Sequence, residues 1–274
     1  MKTTFIYTEN AAFQKFEVLR SNRNKRHRYG EFLVEGVNNI NSAIKNSWEI
    51  ASFIYPSDKK LSDWARGLLE NVQTDENFAL TGALMTKISG KIDTSELLAV
   101  VKMRRVGETI ELSESPLILL FDRPSNRGNL GTVIRSCDAL GVELVVITGH
   151  AVDPYDPEVT AASMGSFFAV PTLHIADNTA LLEMIADLKA RFPGFKTIAT
   201  TAHRKNTVYE TDMRPPVMLM LGNETDGLCR ALYDAADLTV TIPMAAQSQA
   251  TSFNVACAAT VMLYEIARQN SVGN

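Results

Sequence analysis

Three polar stretches carry side chains able to hold and activate a bound group. Ser252, Phe253 and Asn254 stand directly before a long apolar segment, Val255 to Arg268, in which Val255, Ala258, Ala259, Met262, Leu263 and Ile266 recur at helical spacing. A helix N-terminus offers free N–H groups and partial positive charge, so these residues sit where a ligand would be held. The plainer reading makes Ser252 an N-cap and Asn254 a solvated first-turn residue. In SNRGNLG, Asn129 leads a second helix as its candidate cap, and Arg135 follows six residues later, nearly two turns along it. Gly128 and Gly131 permit close backbone approach there. In GNETDG, Gly222 ends a buried run and Glu224 emerges after it, either toward a ligand or as a charge facing the dipole of a helix from Asp226 to Ala236. Amides, a hydroxyl, a guanidinium and a carboxylate make a set suited to positioning and charge stabilisation.

Other chemistries lack their residues. No His/Cys/Asp cluster has metal-ligand spacing, and neither G-x-S-x-G nor a P-loop occurs. A dinucleotide fingerprint wants a third glycine and an acid near the end of the next strand. SNRGNLG is one glycine short, and Glu143 lies at the wrong end of its strand, which leaves a nicotinamide oxidoreductase as the weaker alternative.

The elements that must position these loops alternate. From residue 117 onward the expected order is strand Leu117–Phe121, a helix from Asn129, strand Leu144–Thr148 and a helix near Pro157–Ser163. A strand around Phe168–Leu173, a helix Thr179–Arg191, and strands at Lys196–Thr201 and Val217–Leu221 follow, then a helix Asp226–Ala236. The stretch closes with the strand Leu238–Ile242 and the long C-terminal helix. Continuous apolar strands between helices imply an α/β fold with a mostly parallel sheet covered on both faces, whose ligands bind at the carboxyl ends of the strands. The three polar loops leave strands at that end.

The first 104 residues form a smaller α/β unit. It is expected to hold helices over Ala11–Leu19, Val37–Lys45, Leu61–Leu69 and Gly82–Ile88, with strands at Phe32–Val34, Ile50–Tyr55, Phe78–Leu80 and Leu97–Val101. Residues 103–116 lose apolar periodicity and gather charge, serine and proline. That sets a linker at 105–116 and a second domain at 117–274.

The chain has 274 residues and is 46% hydrophobic, enough for one large or two modest cores. Three scattered cysteines, Cys137, Cys229 and Cys257, fit reduced core positions rather than a disulfide frame or zinc site. No apolar leader and no segment of about 18 apolar residues is present, so a cytoplasmic location with no membrane association is expected. Net charge is −4 but uneven: residues 1–104 carry 15 Lys/Arg against 12 Asp/Glu (+3), and the remainder 12 against 19 (−7). Within the first part Arg20, Arg23, Lys25, Arg26 and Arg28 form a run without an acid. Two readings stand, a solvated helix end and a phosphate-contacting patch.

Taken together, NLGTVIRSCDALG, LMLGNETDGL and IPM…SFNVACAATVMLYE resemble, in order and spacing, the three signature motifs of the SpoU-type RNA ribose 2′-O-methyltransferases of the SPOUT superfamily. FLVEGVNNINSAIKN resembles the start of that family's N-terminal substrate-binding domain. The resemblance implies a trefoil-knotted catalytic domain, S-adenosylmethionine as methyl donor, an RNA substrate (ribosomal rather than transfer RNA), and a homodimer through the C-terminal domain with each site completed across the interface. It implies catalytic roles for Asn129, Arg135, Glu224, Ser252 and Asn254. A cofactor cradle is implied at Thr200, Gly222, Ile242, Met244 and Phe253, while the RNA contacts expected at Arg23, Lys25, Arg26 and Arg28 come from the basic run itself. In the family the motif-one arginine, here Arg135, is the proposed proton acceptor. Its fixed charge makes phosphate binding and alkoxide stabilisation an equal alternative. Departures are a third loop two residues longer than usual, Phe253 in place of leucine, Ala256 in place of serine, and Arg127-Gly128 in place of aspartate-proline.

Overall fold

Apolar runs flanked by polar turns fold into two sheets in the computed structural model, which describes residues 2–89, 93–104, 110–202 and 206–272. By packing, one unit comprises Met1–Arg105 with Asp153–Ala169, and the other Val106–Val152 with Val170–Asn274. Part of the expected linker, 105–109, lies outside the described residues.

In the first unit the elements run β1 (Thr3–Ile6), α1 (Ala11–Ser21), α2 (Arg23–Tyr29), β2 (Glu31–Glu35), α3 (Val37–Lys45) and β3 (Ile50–Pro56). They continue with α4 (Asp63–Asn71), β4 (Asn77–Leu80), α5 (Gly82–Ser89) and β5 (Leu98–Lys102). The sheet order is β1-β4-β3-β5-β2, with β1, β4 and β3 parallel and β5 antiparallel to both its neighbours. Phe13, Phe16, Ile54, Leu80, Ile88 and Val100 fill one side of it. Two of these elements go beyond the sequence expectation: β1, a four-residue edge strand, and α2, whose polar sequence RNKRHRY has no apolar stripe. Helix α2 is held instead by Asn22, which accepts from the Lys25 N–H, and by Gly30 in the left-handed region.

The second unit begins with β6 (Leu117–Asp122), α6 (Arg127–Ala139) and β7 (Leu144–Thr148). The chain then returns to the first unit for α7 (Pro157–Ser163) before β8 (Thr172–Ile175) and α8 (Asn178–Arg191). Next come β9 (Lys196–Thr200), β10 (Asn206–Thr207), β11 (Val217–Leu221), α9 (Arg230–Asp234), β12 (Leu238–Thr241) and α10 (Val255–Val272). All seven strands of the second sheet are parallel, in the order β10-β12-β9-β11-β6-β7-β8. Every residue of β6, β7 and β11 is buried, as apolar runs covered on two faces require. Ile118, Leu120, Val146, Leu181, Ile185 and Met220 form one core layer. On the other side α6 and α10 pack together, with Val133, Ile134, Ala259 and Leu263 buried. Among the described residues no helix is long and apolar enough to cross a membrane.

The excursion Asp153–Ala169 corrects the domain boundaries, because the sequence reading places it within the sheet domain and it packs with the first unit. After α7 it forms a short 3-10 turn, Ser166–Phe168, in place of the expected start of a strand at Phe168. Local chemistry accounts for this. Phe167 and Phe168 stack edge-on or face-on against Phe32 and Trp48, the Trp48 indole N–H donates to the Phe168 carbonyl (2.9 Å), and Ser42 Oγ donates to the Gly165 carbonyl (2.7 Å). Gly165 has φ of 101°, and a Cβ there would meet Ser42 Cβ at 3.0 Å, so the close approach requires glycine.

The cysteines depart from expectation. Cys137 is buried, and burial pushes its thiol well above the ordinary range, but Cys229 is half-buried and Cys257 is exposed on α10.

Candidate functional site

An open cleft of about 680 Å³ lies in the second unit at the carboxyl ends of β9, β11 and β12. Asn129, Thr200, Gly222, Glu224, Ile242, Met244, Ser252, Phe253 and Asn254 all line it. Residues from four separate segments thus share one wall.

A chain of hydrogen bonds ties three of them together. Asn254 Oδ1 accepts from the Ala256 and Cys257 N–H groups (2.9 and 3.3 Å), so Asn254, not Ser252, caps α10. With that oxygen committed, Asn254 Nδ2 donates to Asn129 Oδ1 (3.1 Å). Asn129 Nδ2 then donates to Glu224 Oε1 (3.2 Å). Backbone N–H groups at the α10 end and an obligate acceptor at the other fix both amides in one orientation. Glu224 also accepts from the Ser125 N–H (3.1 Å), Ser125 Oγ (2.8 Å) and the Asn126 N–H (3.3 Å). Partial burial opposes its ionisation, but bonds from its own loop backbone, from Ser125 and from Asn129 outweigh that and hold the carboxyl below its usual range.

The expected helix from Asp226 is absent. Asn223 and Gly227 exchange backbone hydrogen bonds (3.0 Å each), and helix begins only at Arg230. Glu224 is therefore a loop carboxylate fastened to the α6 N-terminus, not a counter-charge on its own helix. That N-terminus is capped by Asn126, whose side chain accepts from the Asn129 N–H at 2.9 Å; Asn129, the expected cap, lies inside the first turn with its side chain turned to the cleft. Gly222 is required by sterics, since a Cβ there would stand 2.3 Å from the Leu228 nitrogen and 2.4 Å from the Gly227 carbonyl carbon.

Arg135 is not among the lining residues of the cleft and is exposed on α6. Six residues at about 100° each put it roughly 120° around the helix from Asn129, so one helix cannot aim both at the same mouth. Beside it, Ser136 Oγ bonds Thr260 Oγ1 (2.7 Å), where α6 meets α10. Val261 (43% exposed) and Tyr264 (61%) stand bare on α10.

In the first unit the basic run does not act as one patch. Arg26 is 1% exposed; its guanidinium binds Asp153 (2.8 Å), Asp156 (3.2 Å) and the carbonyls of Leu19 and Arg20. It is a structural ion pair, which removes it from the expected RNA contacts. Lys25 is half-buried and Arg28 exposed.

Site residues that the sequence reading does not reach are Ser125 and Asn126. The Ser-Asn pair just ahead of Arg127 is an ordinary cap signal, and it could have placed the helix start ahead of Asn129.

The cleft suits a nucleoside-sized cofactor. Its volume falls within the usual range for small-ligand sites. Leu221, Ile242, Phe253 and Met262 offer apolar surface, while strand-end backbone groups and Glu224 offer polar contacts.

Comparison with known proteins gives two family matches: residues 116–264 match the model of the SpoU rRNA Methylase family, and residues 10–99 that of the SpoU L30e-like domain. A 23S rRNA (uridine(2479)-2′-O)-methyltransferase of Streptomyces viridochromogenes is 39% identical over 270 residues, covering 98% of this chain and 93% of the relative. A 23S rRNA (guanosine(2553)-2′-O)-methyltransferase of Bacillus subtilis is 26% identical, covering 94% and 98%. The crystal structure of the SpoU methyltransferase AviRb from Streptomyces viridochromogenes in complex with AdoMet superposes with a TM-score of 0.89 at 39% identity, over 95% of this chain and 98% of that one.

Proposed function

The chain belongs to the SpoU rRNA methylase family, and we propose from that premise that the cleft serves S-adenosylmethionine-dependent methylation of a ribose 2′-hydroxyl in ribosomal RNA. The observation that carries the reading is the Asn254–Asn129–Glu224 relay, which gathers the three signature loops into a single oriented wall. Ribosomal RNA is favoured because relatives matched over almost their whole length carry that substrate in their names.

Gly222, Ile242, Met244 and Phe253, with Thr200 at the rim, would hold the cofactor, and the adjoining Leu221 and Leu228 would exclude water from it. When bound, the cofactor supplies an electrophilic methyl group on a sulfonium. The chain's own residues have two tasks. One is to hold a 2′-hydroxyl in line, a matter of positioning to which Asn129 and Asn254 bring oriented amides and Ser252 a hydroxyl at the same cleft. The other is to manage the proton and the charge left on the ribose oxygen. Arg135 is the group for this, as proton acceptor or as a planar donor to phosphate and alkoxide.

Because Arg135 lies outside the cleft of its own chain, its role requires a second copy. A homodimer through α6 and α10 is supported by the bare Val261 and Tyr264 on α10, which packs against the helix that carries Arg135. The chain's passage from β12, at one side of β9, to α10 against α6 supports the knotted topology. The first unit would bind RNA, with Arg23, Lys25 and Arg28 as the remaining candidate phosphate contacts, and the second unit would bind the cofactor. A ribosomal substrate supports cytoplasmic residence. The test is methyl transfer from labelled S-adenosylmethionine to undermethylated ribosomal RNA, with mapping of the modified nucleotide; label recovered only on transfer RNA, or on a base rather than a ribose, would overturn the reading.

A further inference from the structure

Behind the cleft wall sits a charged network that the reaction itself does not use. Asp122, the last residue of β6, is 1% exposed, yet its carboxylate is saturated. It accepts from Arg123 Nε (3.1 Å) and Nη2 (2.9 Å), from Thr148 Oγ1 (2.6 Å) and from the Cys229 N–H (2.8 Å). Arg123 Nη2 also donates to the Gly227 carbonyl (3.1 Å), and the Arg123 carbonyl accepts from Asn223 Nδ2 (2.7 Å). Asn223 Oδ1 in turn accepts from the N–H groups of Thr225 and Asp226 (2.8 and 3.2 Å). Glu224 apart, these anchors of the loop 223–229 lead back to two adjacent residues at another strand's end.

Arg123 is set up for this at a cost. It is a non-glycine residue with φ of 47°, and its side chain fills the space over Gly149, where a Cβ would stand 2.8 Å from Arg123 Cγ. Burial opposes ionisation of Asp122, but Arg123, Thr148 and the Cys229 N–H outweigh it and keep the carboxyl below its usual value.

We propose that Asp122 and Arg123 are positioning residues for the cofactor, clamping the loop 222–228 so that its backbone keeps the shape of the cleft wall. Residues Gly222 to Leu228 line the cleft, while neither Asp122 nor Arg123 does, so the pair acts through the loop. The inference rests on reading the cleft as the S-adenosylmethionine site.

The experiment measures binding of S-adenosylhomocysteine by calorimetry to the RNA-free full chain, together with the melting temperature and the methylation rate at saturating cofactor. Removing the Arg123 side chain deletes bonds to a charged group and to the loop carbonyl, so Arg123→Ala should weaken binding about tenfold or more. Its rate at saturating cofactor should stay within about threefold. Arg123→Lys, which keeps the charge but loses the fork, should fall between the two. Asp122→Asn, isosteric but uncharged, should weaken binding at least as much as Arg123→Ala. Folded Arg123→Ala with unchanged affinity would overturn the proposal and leave the pair merely structural, as would a loss confined to the rate at saturating cofactor. Failure of the unsubstituted chain to bind S-adenosylhomocysteine would instead overturn the functional reading, and this one with it.

Discussion

Glu224→Gln tests the relay at its acceptor end. Two backbone N–H groups, the Asn129 amide and the Ser125 hydroxyl all point hydrogens at the Glu224 carboxylate. Glutamine must turn an NH2 toward one pair. Its oxygen will take the side of Asn126 and Asn129, because the Asn129 amide cannot flip without breaking its bond from Asn254. The NH2 then faces Ser125, whose hydroxyl can rotate to accept but whose N–H cannot. At least one charge-assisted bond disappears, and such bonds contribute about 1.5–3 kcal/mol, the lower end applying in a site open to water. If the loss falls on the aligned state, about 1.5 kcal/mol slows single-turnover methylation roughly tenfold. Glu224→Ala, which removes every partner's acceptor, should slow it about a hundredfold. The carboxyl's lowered pKa adds a sign: its stabilising contribution is full above the unfolded value near 4.5 and is lost as pH falls through the lower folded value. The difference in melting temperature between Glu224→Gln and the unsubstituted chain should therefore hold from about neutral pH to about 5 and close below that. A glutamine variant within about twofold of the original rate, with no difference in melting temperature at any pH, would refute the reasoning.

Other expectations follow from the same structure. Arg26→Met, which strands Asp153 and Asp156 without their cation, should destabilise the first unit by about 3–5 kcal/mol in denaturant unfolding; a change under about 1 kcal/mol would return Arg26 to the surface patch. Neutralising Arg23, Lys25 and Arg28 together should leave the fold intact and flatten the salt dependence of RNA binding, by about 0.9 for each duplex phosphate no longer neutralised; an unchanged slope would make them a solvated face. Arg135→Lys should lower the single-turnover rate about a hundredfold or more while cofactor affinity holds, and retention of more than about a tenth would make Arg135 an ordinary surface charge. Val261→Glu with Tyr264→Glu should shift sedimentation from dimer to monomer and abolish methyl transfer with S-adenosylhomocysteine still bound; an unsubstituted chain that sediments as a monomer at micromolar concentration would sink the shared site.

What the sequence disclosed divides by the range of the interaction responsible. Strands β6, β7 and β11 were legible because burial on two faces writes an unbroken apolar run, and α8 because its start is local chemistry, Asp177 accepting from the Ala180 N–H. Edge strand β1 is too short to show a period, and α2 has no apolar face to show. In place of the first turn expected for α9, Asn223 and Gly227 exchange backbone bonds and Asp122, 107 residues away from Cys229, takes the Cys229 N–H. Arg26 is the sharper case. In sequence it is one cation in a run of cations, and only Asp153, 127 residues on, turns it from a surface charge into a buried one. The relay shows the same limit at the site itself. Asn254 read alone is a solvated first-turn residue and Glu224 alone a dipole counter-charge, and the first of those readings misses even the cap that the Asn254 oxygen makes. What neither loop contains is the other half of each bond. The Asn254 amide nitrogen acquires a function only from Asn129 Oδ1, and Asn129 only from Glu224, so motif order in the chain can signal that the three loops meet, while the donor and acceptor assigned to each exist only once they have met.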